Sequence, residues 1–306
     1  MYKQKFIIIL IVLFWQIKVS AQNYLINFES QNKSRKIDSV KIENFKNNTF
    51  TYVSGNETLM LSDTFKNKQI SVANKENIKF KKSKNIIEYK KGDLLKFTAF
   101  SGNAKTIVLN YPDRSKIIKF YFADCVDIDG NSYAVIKIGN QLWTVDNLKT
   151  TRYNNGDSII NVTDNENWNV INSGAYRNYF DNKKFVKKYG RLYNWFAVTD
   201  KRGLAPEGWR IPNKDDWNFM QNIKMPDDNN LSIGSKLKEK AFVPAGYCDV
   251  KGGFANIFNT GYWWLSTSND EKTAWYTYLF YYKSSVNLTT CDKHHGFSVR
   301  CVKDIK

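Results

Sequence analysis

Short runs of alternating polar and apolar residues, separated by turn-forming residues, constrain the fold of this chain most. Between residues 23 and 122 these runs include NYLINFES, DSVKIENF, LLKFTAFSG, KTIVLNY and KIIKFYF, with Asn, Gly or Pro-Asp between them. Because successive side chains of a strand point to opposite faces, a period of two predicts half-buried strands. The sequence therefore predicts a small all-β, sandwich-like module over residues 22–122.

The first 21 residues predict a secretory signal peptide. Lys3 and Lys5 give a basic start, residues 6–15 are all apolar, and residues 19–21 (VSA) have the small side chains of a cleavage site. The apolar run is too short to span a bilayer. We therefore expect an exported protein without a transmembrane segment, located outside the cell or at its surface, with the periplasm as the alternative.

The rest of the chain has a different composition, which indicates a second module over residues 123–306. Eight of the nine tryptophans lie there and none lies in residues 23–122. The segment KKYGRLYNWFAVTD carries apolar residues at helical spacing, whereas GYWWLSTS, AWYTYLFYY and GFSVRCVK return to strand patterns. Short helices followed by antiparallel strands predict an α+β fold for this module.

The positive charge of the chain comes mainly from lysine. The net charge is +17, carried by 38 lysines and only eight arginines. Proteins that read bases and phosphates favour the rigid fork of arginine, and an exported protein rarely meets nucleic acid. We therefore expect no nucleic-acid partner.

The stretch GWRIPNKDDW, residues 208–217, places two acids side by side and raises the question of a catalytic pair. Asn213 is a favoured helix N-cap, and Asp216 occupies the reciprocal capping position three residues later. Asp215 would meet the positive end of the helix dipole. Adjacent helical side chains point about 100° apart, so the two carboxylates would not converge. We predict that both are structural and that Asp216→Ala lowers stability by about 1 kcal/mol.

Taken together, several motifs resemble one known family. DIDGNSYAVIKIGNQLWTVDNLKTTRYNNGDSI, YGRLYNWFAV, PEGWRIPNKDDW, GYWWLSTS and GFSVRCVKD occur in this order between about Asp127 and Asp304. They resemble the Fibrobacter succinogenes major paralogous domain, a family of exported and surface proteins without an established activity. The resemblance implies a C-type-lectin-like fold for residues 123–306, similar to that of the formylglycine-generating enzymes.

Four cysteines in an exported chain predict two disulfides in one of three pairings, or free buried thiols. In lectin-like folds the first and last strands are neighbours, so the resemblance implies the pairs Cys125–Cys301 and Cys248–Cys291. The sequence also departs from the family. Arg177 and Ala205 stand where many members have cysteines, as the loss of one disulfide would produce.

Candidates for metal binding and catalysis are weak. Asp127, Asp129 and Asn131 resemble the start of a calcium loop, but no Glu closes it, and a strand-joining turn is the favoured interpretation. Adjacent His294 and His295 suggest zinc only weakly in an oxidising compartment. We expect no cofactor, no metal and no catalytic residue.

The aromatic strands are the most suggestive candidate for a binding site. Alternation in AWYTYLFYY puts tyrosines on one face, and the adjacent Trp263 and Trp264 must face opposite ways. The predicted ligand-binding residues are Trp263, Trp264, Tyr276, Tyr278 and Tyr282, although aromatic core is the alternative. The preferred hypothesis is a non-enzymatic binding protein with a glycan or a surface protein as its partner. The alternatives are an enzyme of the formylglycine-generating type or a hydrolase, and a structural spacer in an envelope assembly.

Overall fold

The computed structural model describes residues 23–62, 85–222, 224–225, 228–232, 242–280 and 286–305. The predicted signal peptide and Tyr282 lie outside these residues. The described residues between 23 and 122 form eight strands: β1 (Asn23–Ser30), β2 (Ser39–Asn44), β3 (Thr49–Ser54), β4 (Leu59–Ser62), β5 (Asn85–Glu88), β6 (Leu95–Ser101), β7 (Ala104–Asn110) and β8 (Lys116–Phe120).

The remaining described residues contribute short helices and further strands. The strands are β9 (Ala134–Ile138), β10 (Gln141–Thr144), β11 (Ile160–Asn161), β12 (Ala175–Arg177), β13 (Leu192–Tyr193), β14 (Lys224–Met225), β15 (Asp228–Ser232), β16 (Ala245–Cys248), β17 (Phe254–Ile257), β18 (Thr260–Ser268), β19 (Thr273–Phe280), β20 (Val286–Asp292) and β21 (Val302–Asp304). The helices are α1 (Asn165–Val170), α2 (Val186–Tyr189), α3 (Trp195–Val198) and α4 (Lys214–Asn222), with 3₁₀ turns at Tyr179–Asp181 and Lys183–Phe185.

Two sheets enclose the first core. One has the order β5-β4-β1-β8, and the other has the order β21-β10-β9-β7-β6-β2-β3. Apolar residues of both sheets, such as Ile26, Leu61, Ile42 and Phe97, form one buried cluster between them. The alternation in the sequence produces this arrangement, because Val40 and Ile42 face the core while Lys41 and Glu43 face the other way.

The seven-stranded sheet continues across the module boundary expected near residue 122. Its strand β7 pairs in parallel with β9, where Lys105 lies opposite Ala134 and Ile107 opposite Ile136. The last described strand, β21, pairs with β10 at the far edge of the same sheet. The first half of the chain and its C-terminal end therefore share one hydrogen-bonded sheet.

A five-stranded sheet, in the order β17-β16-β18-β19-β20, carries the candidate site. One of its faces packs through Trp263 and Leu279 into a core that also contains Trp143 and Trp217. Its other face packs around Trp264 into a second core. The longest helix in the described ranges has nine residues, and none there has the length and apolar character that a membrane crossing needs.

The expectation of an α+β C-terminal half is wrong, and the lectin-like fold implied by the resemblance is not confirmed. Strands make up 45% of the structure and helices 12%, so the chain is all-β. The helical spacing around Trp195 produces a single four-residue turn, and the capped segment after Asn213 produces only nine helical residues. Such short helices only connect strands, and the layers of the structure are sheets.

Candidate functional site

Four tyrosines lie together on one face of the five-stranded sheet, and we call Tyr247, Tyr262, Tyr276 and Tyr278 the tyrosine surface. All four are partly buried and partly exposed. Tyr262 lies directly opposite Tyr278 on the neighbouring strand. These two rings are stacked, with centroids 6.0 Å apart and an interplanar angle of 22°.

The other rings complete a continuous aromatic layer. Tyr247 lies 4.9 Å from Tyr262, and Tyr276 lies 5.9 Å from Tyr278, between ring centroids. Phe297 supports the layer from below, since its fully buried ring lies 4.7 Å from Tyr276 and 5.4 Å from Tyr262. Rings held by packing on both sides lose little conformational freedom when a ligand binds.

Polar groups line the margin of the tyrosine surface. Asn256 adopts a left-handed backbone conformation (φ 63°), which asparagine tolerates better than most residues, and its amide donates a 2.7 Å hydrogen bond to the Tyr262 hydroxyl. Asn287 lies opposite Tyr278, and its buried amide nitrogen has no acceptor within the described part of the chain. Burial raises the pKa of Tyr262 and Tyr276, so both hydroxyls are neutral donors at physiological pH.

The structure separates the predicted ligand-binding residues into three groups. Tyr276 and Tyr278 belong to the tyrosine surface. Trp263 and Trp264 are buried on opposite faces of β18, where their indole nitrogens donate to Asn147 and to the carbonyl of Tyr193. Tyr282 lies outside the described residues. Tyr262 is not among the residues predicted from the sequence, although its spacing of two residues from Trp264 places both side chains on one face of the strand.

The DIDGN segment forms a turn. The Asp127 carboxylate accepts hydrogen bonds from the backbone N–H groups of Asp129 and Asn131, from the Asn131 amide and from the Tyr133 hydroxyl. Asp129 is bound by Thr151 and forms an ion pair with Arg152. These donors occupy the oxygens that a calcium ion would need. No group of three or more metal-ligating side chains occurs in the described ranges.

The four cysteines are free thiols, and the predicted pairs Cys125–Cys301 and Cys248–Cys291 are not formed. Cys248 lies on β16 and Cys291 on β20, with β18 and β19 between them. Cys125 and Cys301 share one core cluster without being at bonding distance. Burial raises the pKa of the Cys248 thiol to about 12 and raises the pKa values of the other three, so all four are protonated at neutral pH.

Arg177 has a structural position close to Cys248. Its Nη1 atom lies 3.9 Å from the Cys248 sulfur, whereas Ala205 packs in a different cluster, around Trp209 and Tyr153. The structure therefore brings Arg177 together with Cys248, and not with Ala205.

A family model described as Fibrobacter succinogenes major domain matches residues 136–303, which is more than half of the chain. No curated protein and no solved structure matches the chain.

Proposed function

The chain belongs to the Fibrobacter succinogenes major domain family, and on that premise we propose that it is an exported, non-enzymatic protein that binds a glycan through the tyrosine surface. The observation that carries this proposal is the layer of four partly exposed tyrosine rings beside the amides of Asn256 and Asn287. Apolar faces of sugars stack on such rings, while neighbouring amides bind hydroxyl groups.

We infer a non-enzymatic protein because its most buried acids already have structural partners. Asp216 binds Arg210, Asn213 and Gln141, and Asp127 binds its own turn, so the most buried carboxylates are committed to structural hydrogen bonds. A glycosidase needs two carboxyl groups that converge on one bond. An exposed loop of a surface protein is the alternative ligand, because an aromatic layer also receives aromatic anchors.

The binding proposal predicts that Tyr278→Ala weakens glycan binding at least tenfold. This tyrosine stacks on Tyr262 at the margin of the layer, so its removal opens the layer without emptying the core. Tyr278→Phe should retain most of the binding, because the ring face is kept. A glycan array identifies the ligand, and calorimetric titration of the variants with that ligand measures the loss.

Tyr121→Ala is the matched control for Tyr278→Ala. Tyr121 is partly buried against the core that Tyr262 and Tyr276 contact, but it does not belong to the tyrosine surface. Its variant should bind as the wild type does. Unchanged binding by Tyr278→Ala would place the site elsewhere. If the array shows no bound glycan, and the wild type captures a surface protein that Tyr278→Ala does not capture, the protein ligand is favoured.

Export makes a separate prediction, which rests on residues 1–21 and not on the described structure. The chain expressed with its own N-terminus in a Gram-negative host should be recovered outside the cytoplasm, beginning at Gln22. N-terminal sequencing of the recovered protein measures this. Recovery of the protein in the cytoplasm with Met1 intact would contradict export.

A further inference from the structure

The second face of the seven-stranded sheet is not fully covered at the β3 end. Directly opposed residues form two rows across the strands on this face. One row is Tyr52, Lys41, Thr98 and Ile107, and the next is Phe50, Glu43, Lys96 and Leu109. The apolar ends of the rows enter the core around Trp143. The opposite ends are open, and Phe50 and Tyr52 remain 63% and 56% exposed.

A groove of about 510 Å³ lies over the middle of these rows, beside Phe50 and Tyr52, and we call it the lysine groove. Its volume falls within the roughly 300–1,000 Å³ typical of ligand sites. Its charged lining is Lys41, Lys96, Lys105, Lys188, Glu43 and Asp146. Four cations face two anions, so the groove carries an excess of positive charge. Its apolar wall includes Phe242 and Pro244 from the C-terminal half of the chain.

The two central lysines of the groove, Lys41 and Lys96, are mostly buried. Lys41 and Lys96 expose only 27% and 20% of their side chains, and both bind the single carboxylate of Glu43, at 2.7 and 3.2 Å. Burial alone would raise the pKa of Glu43, but the hydrogen bond from Lys41 and the charge of Lys96 hold it below its usual value. One anion between two partly desolvated cations leaves a net charge that a ligand can neutralise.

The other two lysines of the groove, Lys105 and Lys188, have no acidic partner within the described part of the chain, although Lys188 lies over the Tyr189 ring. Behind the wall, the fully buried guanidinium of Arg300 lies 3.8 Å from the ring centroid of Phe242. Burial lowers the pKa of Arg300 to about 9, so it is still charged at neutral pH. A cation in this low-dielectric wall strengthens the positive potential of the groove.

We propose that the lysine groove binds an acidic polysaccharide, one whose sugars carry carboxylate or sulfate groups. The lysines meet the anionic groups, and the exposed rings of Phe50 and Tyr52 offer stacking faces beside them. Lys41 connects the two features, since its ammonium lies 5.2 Å from the Phe50 ring centroid. The carboxylates of Glu43 and Asp146 offer acceptors for the hydroxyl groups that the sugars carry beside their anionic groups. This site is separate from the tyrosine surface.

The experiment is a titration of the full mature chain with polygalacturonate and with dextran sulfate, which separate the two anionic groups. Binding of either polymer is expected, and it should weaken as salt is added. The double variant Lys105→Gln/Lys188→Gln should weaken it about tenfold, and Phe50→Ala/Tyr52→Ala should weaken it by a similar factor. The Tyr278→Ala variant should bind both polymers as the wild type does, which separates this proposal from the one above.

Lys33→Gln/Lys36→Gln is the matched control for charge, because it removes two exposed lysines from the segment between β1 and β2. It should leave the affinity unchanged. An equal loss in this control would show attraction to net charge alone and would overturn the proposal. Equal binding of neutral dextran would overturn it as well. So would single-stranded DNA that binds more tightly than either polymer, if the groove variants abolish that binding.

Discussion

Arg177→Leu is expected to lower the free energy of unfolding by about 3–5 kcal/mol, the range seen when one partner of a buried ion pair is removed. The guanidinium is almost fully buried, and it forms an ion pair with Asp181. It also donates to Asn165 and to the carbonyls of Thr163 and Gly252. Leucine would leave all these acceptors without a donor. Urea denaturation followed by tryptophan fluorescence measures the loss.

The aromatic neighbours of Arg177 explain why lysine should not replace it. The guanidinium lies 4.8 Å from the Phe254 ring centroid and 5.9 Å from that of Trp168. Lysine keeps the charge but has neither the planar fork nor the flat face. Arg177→Lys should therefore recover less than half of the stability lost in Arg177→Leu. A variant as stable as the wild type would show that the charge alone matters.

Arg202 is a suitable comparison for Arg177. Like Arg177, it forms a bidentate ion pair with an aspartate, Asp200, and its guanidinium lies over an aromatic ring, that of Tyr153. Its side chain is 40% exposed, however, so solvent screens the pair. Arg202→Leu should change stability little. Equal losses in the two arginine variants would contradict the view that burial makes Arg177 important.

The sequence predicted local features better than the layers of the fold. Alternation located the strands in residues 23–122, and the reciprocal cap at Asn213 and Asp216 is formed, with hydrogen bonds of 2.8 and 2.9 Å. Both features depend on residues close in the chain. The α+β expectation failed because a helical pattern of a few residues does not give the length of the helix, and Trp195 begins only one turn.

The candidate site shows the same limit. Period-two alternation placed Tyr276 and Tyr278 on one face, but only strand pairing brings Tyr262 opposite Tyr278. The lysine groove depends even more on distant residues, because it joins Lys41 of β2 to Phe242 near β16. The net charge of the sequence includes these lysines, but it does not show that Lys41 and Lys96 bind the same glutamate, Glu43.

Asp216 demonstrates how tertiary contacts change the size of an expected effect. The sequence alone assigned about 1 kcal/mol to the loss of its cap. In the structure its buried carboxylate also forms an ion pair with Arg210 and accepts a 2.7 Å hydrogen bond from Gln141. Arg210 binds Asp304 as well, so the network joins α4 to β21. Because Arg210 is 41% exposed, solvent screens part of this pair.

We therefore expect Asp216→Ala to lower the free energy of unfolding by about 2–3 kcal/mol, more than the cap alone, because Arg210 also loses its buried partner. Asp215→Ala is the control. Asp215 is the exposed neighbour in the same helical turn, and its loss should cost about 0.5 kcal/mol or less. Urea denaturation at pH 7 measures both. Equal losses in the two variants would show that only the helix dipole contributes.

The stability contributed by Asp216 should also depend on pH, and the direction follows from its pKa. Burial alone would raise this pKa, but the hydrogen bonds from Arg210, the Asn213 backbone and Gln141 hold it below the ordinary value of 3.8. The folded state therefore releases this proton more readily than the unfolded state does, and the contribution is fully present above about pH 5. It is lost as the pH falls below 3.8 and through the lowered folded value. The difference in unfolding free energy between the wild type and Asp216→Asn should accordingly be constant from pH 7 to pH 5 and shrink towards pH 3. A difference that stays constant down to pH 3 would refute an ionised Asp216 as the source of the stability.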